Sequence, residues 1–169
     1  AVPAEAGSPA RHLLAPMTLA RLLEAACVRD GDRALDVGGA TGYSAALLVR
    51  LGAKVDALEA NQSLATAMKE HLAAAGIEGP GVHAVPLNEG FPAGKPFDVI
   101  LINGGVTGEP GTLLDQIADG GRLVTVMRKG WFGQGYLFTK SAGVVSGRPL
   151  FDASAEILPG FEAKPQFVF

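Results

Sequence analysis

The residues best suited to chemistry lie in one short stretch, Asp36-Val-Gly-Gly-Ala-Thr-Gly42, and at a few polar positions downstream. Asp36 is the next-to-last residue of the short apolar run RALDV, and Gly38, Ala40 and Gly42 follow at intervals of two before the helical pattern YSAALLVRL. A strand, a glycine turn and a helix start in that order make a ligand cradle. Glycine lets the backbone approach a ligand closely, and the first N–H groups of a helix lack partners. A carboxylate beside such a turn can meet a cationic group. The dinucleotide fingerprint GxGxxG is not matched, because Tyr43 stands where its third glycine would be, so the spacing disfavours NAD. Further polar residues fall where other apolar runs end: Glu59 in VDALEAN, Asn88 and Glu89 in PLNEG, and Asn103 in ILINGG.

These residues need elements to hold them, and the chain alternates helical and strand patterns. MTLARLLEAACV carries Leu19, Leu22, Leu23 and Ala26 at helical spacing, with Thr18 as its expected cap. RALDVG, KVDALEA, GVHAVPL, FDVILIN and RLVTVM read as five strands. Between them SAALLVRLG, NQSLATAMKEHLAAAG and GTLLDQIADGG read as helices, the second capped by Asn61 and ended by Gly76. This rhythm predicts an α/β, Rossmann-like, doubly wound and mainly parallel sheet. The tail changes character: GYLFTK, GVVSGRPLF and AEILPGFEAKPQFVF read as antiparallel strands, with Phe161, Phe167 and Phe169 packing inward to close the sheet edge. The expected organisation is a single domain over 1–169, with 1–12 an irregular N-terminal remnant and 135–169 a β-rich extension of the same sheet. Ligands of such sheets bind outside the carboxyl ends of the strands, where DVGGATGY falls.

Composition narrows the partners. With 169 residues and 48% apolar composition the chain can bury one good core. A net charge of −3 gives no electrostatic reason to expect nucleic acid. No apolar run approaches the roughly 20 residues of a membrane-spanning helix, so no membrane partner is expected. The lone Cys27, in EAACV, reads as a small buried residue and fits a reducing, cytoplasmic setting.

The run from Asp36 to Gly42 resembles the acidic-x-GxGxG motif of class I S-adenosylmethionine (SAM) dependent methyltransferases, with Ala40 for the middle glycine. SAM has no pyrophosphate, but it carries an ammonium group that a carboxylate can meet. Glu59, 17 residues after Gly42, stands where a second acid accepts the ribose hydroxyls. Taken with the flanks, LLAPMTLARLL, TGYSAALLVRL, PFDVILINGG and LLDQIADGGRLVTV, residues 13 to 140 resemble the protein-L-isoaspartate O-methyltransferase family. That resemblance implies methyl transfer from SAM, leaving S-adenosylhomocysteine, to the α-carboxyl of isoaspartyl residues in damaged proteins. It assigns Asp36, Gly38, Ala40 and Gly42 to the methionine end of the cofactor, Glu59 to the ribose, and Asn88 and Glu89 to the adenine, where NEG departs from the family's GDG.

The chain also departs upstream. LLAP places Leu14 where the family has a serine near the transferred methyl, and only AVPAEAGSPARH stands for its N-terminal helical region. No catalytic residue is assigned. These departures motivate two alternatives: a catalytically degenerate SAM-binding module, or a methyltransferase for another protein or small-molecule acceptor. Base and glutamine methyltransferases carry Asn/Asp-Pro-Pro-aromatic after the fourth strand, whereas Gly104-Gly105-Val106 follows Asn103. Asn103 is expected either beside the methyl group or as a strand-end cap. His12, His71 and His83 lack i, i+4 ligand spacing, and no metal site is expected. His12 could face the cofactor entrance. Trp131 and Phe132, with Arg128 and Lys129, read either as a substrate-cleft wall or as a loop with an aromatic anchor.

Overall fold

The computed structural model describes residues 12–163. Its centre is a seven-stranded sheet in the order β3-β2-β1-β4-β5-β6-β7. The strands are β1 (Arg33–Val37), β2 (Lys54–Glu59), β3 (Gly81–Ala84), β4 (Phe97–Val106), β5 (Ile117–Lys129), β6 (Phe132–Ser141) and β7 (Val144–Asp152). The first five pair in parallel and the last two antiparallel, as the change of pattern in the tail predicts. The chain winds outward through β1, β2 and β3, then reverses to β4, so the switch point lies between β1 and β4.

Two apolar layers cover the sheet. On one face α1 (Pro16–Ala26), α2 (Tyr43–Arg50) and α3 (Gln62–Ala74) bury Leu19, Leu22, Leu48, Met68 and Leu72 against Ala34, Ala57, Val99 and Leu101. On the other, Leu87, Leu113, Leu158 and Phe161 meet Leu35, Val37, Ile100 and Ile102. Alternation along β1 and β4 sorts the two sets, since successive side chains point to opposite faces. Asn61 caps α3 as expected, accepting from the Ser63 and Leu64 N–H groups, and the Ile77 N–H closes its far end on the Leu72 carbonyl around left-handed Gly76.

Several elements differ from the sequence pattern. Helix α1 begins at Pro16 with Ala15 as its N-cap, so Thr18 lies inside the first turn and caps nothing; proline at the first helical positions has no N–H to satisfy. Cys27 is exposed, not buried, because it is the left-handed residue that ends α1, with φ 46°. The third helix pattern stops early: α4 is only Gly111–Leu114, and from Ile117 the chain is already strand, giving DQIADGG to a turn and an irregular start of β5. Gln116 explains the break. Its side chain binds the Phe91 N–H and the carbonyls of Glu89 and Thr112, and its backbone carbonyl accepts from the Phe97 N–H.

Among the described residues, the tail after β7 forms no further strand at the sheet edge. Residues 153–161 return over the carboxyl ends of the strands, where Ile157 makes one parallel bridge to Gly105. Strand β1 ends at Val37, opposite Ile102, so the last residues of β4 have a vacant side that this segment takes. Leu158 fills the space above Gly104, where a Cβ would meet its side chain at 2.5 Å. Phe161 is buried as expected; Phe167 and Phe169 lie outside the described residues. Among the described residues no helix is long and apolar enough to cross a membrane.

Candidate active site

The glycine turn follows β1 directly and is built from left-handed residues. Gly38, Ala40 and Gly42 all have positive φ, of 76°, 49° and 94°. Two are glycines, which adopt this conformation freely, while at Ala40 it costs about 1–2 kcal/mol. Glu59 at the end of β2 offsets that strain. Its carboxylate is fully buried and accepts from the Ala40 N–H at 3.0 Å and the Ala60 N–H at 2.9 Å. The turn is thereby tied to the neighbouring strand end.

Asp36 lies under the turn. Its Oδ2 accepts a hydrogen bond of 2.6 Å from the Ser44 hydroxyl, and the Asn103 amide donates to the same hydroxyl at 2.8 Å. Ser44 is the second residue of α2 and Asn103 sits near the end of β4, so the chain Asn103–Ser44–Asp36 spans the switch point between β1 and β4. A break in the β4–β5 register between Leu101 and Gly105 accompanies this placement; such bulges re-aim side chains beside active sites. Asn103 therefore lies within β4 rather than capping a strand end.

Two acceptors in this cluster are unsatisfied. Asp36 Oδ1 and Asn103 Oδ1 are both buried and have no hydrogen-bond partner among the described residues. Burial pushes the Asp36 carboxyl up to about 7, with the negative charge of Glu59 adding to the rise and hydrogen bonds from the Ser44 hydroxyl and the Ala45 N–H opposing it. A pair of buried, donor-less oxygens at the switch point is the surrounding a cationic donor requires.

The other expected site residues are arranged less tightly. Asn88 and Glu89 form a short 3-10 turn after β3 and are exposed, with Asn88 against Gly160 of the returning segment, where a Cβ would meet it at 2.8 Å. Leu14 is 7% exposed and belongs to the core beside α1, so no hydroxyl reaches the site from that position. His12 pairs with Glu156 of the returning segment at 2.7 Å. Trp131 and Phe132 stand at the tip of the β5–β6 hairpin, outside the core, and are 96% and 82% exposed. Sequence reasoning missed Ser44, whose only signal is its place at the start of the helix, eight residues after Asp36. It also missed the return of Leu158 onto Gly104.

Comparison with known proteins decides the family. The model of the protein-L-isoaspartate(D-aspartate) O-methyltransferase family matches residues 6–149. The chain belongs to this family. The family's O-methyltransferase from Methylorubrum populi is 40% identical over 114 residues, covering 64% of this chain and 51% of its own. That from Koribacter versatilis is 37% identical over 137 residues, covering 81% and 62%. The chain thus spans about half to three fifths of the length of these relatives. Among solved structures, a protein-L-isoaspartate O-methyltransferase superposes with a TM-score of 0.78 at 26% identity, over 86% of this chain and 47% of its own. A protein from Plasmodium falciparum, described as a beta-aspartate methyltransferase in complex with S-adenosyl-L-homocysteine, shares the fold with a TM-score of 0.69 at 22% identity, over 84% of this chain and 71% of its own. Within the family frame, the glycine turn, the Glu59 brace and the Asp36–Ser44–Asn103 chain occupy the crevice where α/β sheets take their ligands.

Proposed function

We propose that this chain is a SAM-dependent O-methyltransferase whose acceptor is the carboxylate of an isoaspartyl residue in a protein. The reading rests on family membership and on one local observation, the two buried acceptors without donors at the switch point, Asp36 Oδ1 and Asn103 Oδ1. An ammonium offers up to three donors and a positive charge, so the methionine end of the cofactor suits this donor set. In the proposal Asp36 and Asn103 hold that ammonium, with Ser44 fixing both side chains. Gly38, Ala40 and Gly42 give the backbone close approach, Glu59 accepts from the ribose hydroxyls, and Asn88 and Glu89 flank the adenine.

The bound cofactor would supply an activated methyl group. The residues of the chain then have to align the acceptor and exclude water, because displacement at a carbon the cofactor already activates needs positioning more than acid–base help. A carboxylate acceptor is ionised at pH 7 and needs no general base. Leu14 in place of the family serine is compatible with that chemistry, since no proton has to be removed. Its apolar side chain shields the core below α1 from water.

Calorimetric titration with S-adenosylhomocysteine, the cofactor product, tests the site without turnover. One-to-one binding is expected, weakened about ten-fold or more in Glu59→Ala, which also strips the brace from the Ala40 and Ala60 N–H groups. A Glu59→Ala chain that binds as tightly as the parent refutes the ribose assignment. Methylation of an isoaspartyl peptide, compared with its aspartyl twin, tests the acceptor.

A further inference from the structure

The β5–β6 hairpin carries a feature that neither folding nor the cofactor site accounts for. Lys129 pairs with Phe132, leaving Gly130 and Trp131 as a two-residue turn. Gly130 has φ 61° while Trp131 is not left-handed, the type II′ pattern that glycine at the first position favours. The turn has no need of large apolar residues. Elsewhere β6 buries its bulky side chains, with Phe138 at 2% and Leu137 at 7% exposure. Trp131 and Phe132, at 96% and 82%, contribute almost nothing to the core.

The position of this aromatic pair is informative. Val106, the last residue of β4, pairs with Met127, so residues 128–131 project past it on the carboxyl side of the sheet. At about 3.3 Å per residue the tip rises roughly 10 Å above that level. It flanks the crevice one strand away from Asn103. The Arg128 guanidinium donates to the carbonyls of Gly130 and Ala155, tying the tip to the returning segment. Lys129 is exposed at the end of β5. The tip thus presents two aromatic faces and two cations on a chain whose net charge is −3. Nearby acids are engaged locally: Asp152 accepts from Gln134, and Glu156 pairs with His12.

We propose that the Lys129–Phe132 hairpin tip is a docking surface for an extended, acidic segment of the polypeptide that carries the acceptor carboxylate. The inference rests on the isoaspartyl-protein reading above and adds how such a substrate is held. Aromatic side chains supply contact area at little entropic cost and are enriched among residues that dominate binding energy. Lys129 and Arg128 favour a segment bearing carboxylates, and the tip's place on the β5 side of the crevice keeps such a segment within reach of Asn103.

Trp131 is the single tryptophan of the chain, so its fluorescence reports on this surface alone. The full chain, saturated with S-adenosylhomocysteine, is titrated with a ten-residue acidic peptide containing one isoaspartyl residue, with its aspartyl twin, and with a peptide whose acids are replaced by lysine. Vesicles of phosphatidylcholine with and without phosphatidylglycerol form the last arm. Both acidic peptides are expected to shift the emission to the blue and protect it from acrylamide, while the lysine peptide does neither. The double variant Trp131→Ala/Phe132→Ala is expected to weaken binding of a fluorescein-labelled acidic peptide about ten-fold and to leave S-adenosylhomocysteine affinity unchanged. An unmoved Trp131 spectrum, equal peptide binding by the double variant, or a shift with vesicles alone overturns the proposal. Methyl transfer is assayed separately, with SAM in place of S-adenosylhomocysteine: if the parent methylates the isoaspartyl peptide while Trp131 stays unmoved in the titration, the docking surface fails and the enzymatic reading stands. If the acidic peptides protect Trp131 but no methyl is transferred, the enzymatic reading fails and the surface stands.

Discussion

Replacing Asp36 with asparagine should make the cofactor-free protein more stable, by an amount that depends on pH in a defined way. Asp36 is fully buried, and its carboxyl is pushed from 3.8 to about 7, chiefly by burial. The folded state therefore holds this proton more tightly than the unfolded chain does. Stability is greatest below the unfolded value and falls as pH rises, by about 1.4 kcal/mol per unit between roughly pH 4 and 7, and is flat above. The whole span amounts to about 4 kcal/mol. Asparagine keeps the shape, still accepts from the Ser44 hydroxyl, and carries no charge at any pH. Every other titrating group is common to both proteins, so the difference between their urea-unfolding free energies isolates Asp36. That difference should grow by about 3 kcal/mol from pH 5 to pH 8, with Asp36→Asn the more stable. The same variant should lose affinity for S-adenosylhomocysteine, because the negative charge that answers the ammonium is gone. A stability gap that stays constant from pH 5 to pH 8 would refute the assignment of a buried, costly charge to Asp36.

Ser44→Ala removes the link between Asp36 and Asn103 and leaves two more buried polar atoms without partners, so a loss of about 1–3 kcal/mol is expected in urea unfolding. Arg122 donates to the Ala26 and Cys27 carbonyls at the end of α1 and to Asp32 at 2.6 Å; Arg122→Ala should cost about 2 kcal/mol or more. Hydrogen exchange should show the loss first at the carboxyl end of α1. Ala142 is left-handed, with φ 50°, in the two-residue turn between β6 and β7. Ala142→Gly should raise the unfolding free energy by up to about 1 kcal/mol, the relief of strain exceeding the added chain entropy, and an unchanged or lowered midpoint would count against that strain.

The sheet is legible in the alternation of apolar patterns along the chain. Strand patterns of five and six residues place Asp36 one residue before the carboxyl end of β1 and Glu59 at that of β2, and period-two alternation puts both on the same face as α2 and α3. Helix α3 is equally plain, because Asn61 and Gly76 punctuate it chemically. The end of α4 is not, since GTLLDQIADGG has helical apolar spacing throughout. What ends it is Gln116, whose side chain binds the Phe91 N–H, 25 residues away. Cys27 departs from its pattern for a related reason: its neighbours are apolar, but its exposure follows from ending a helix in a left-handed conformation.

The sequence by itself determined the element order, the glycine turn and the acids at strand ends, because periodicity, glycine and capping act over a few residues. It also carried the family resemblance. Only the tertiary structure decided which polar groups meet. Ser44 joins Asp36 to Asn103 across 59 residues, Glu59 braces a strained Ala40, and Leu158 returns to cover Gly104. Those contacts depend on how β1, β2 and β4 lie beside one another and on the space left where β1 stops short. Both are set by packing of the whole sheet, which no local stretch of residues encodes.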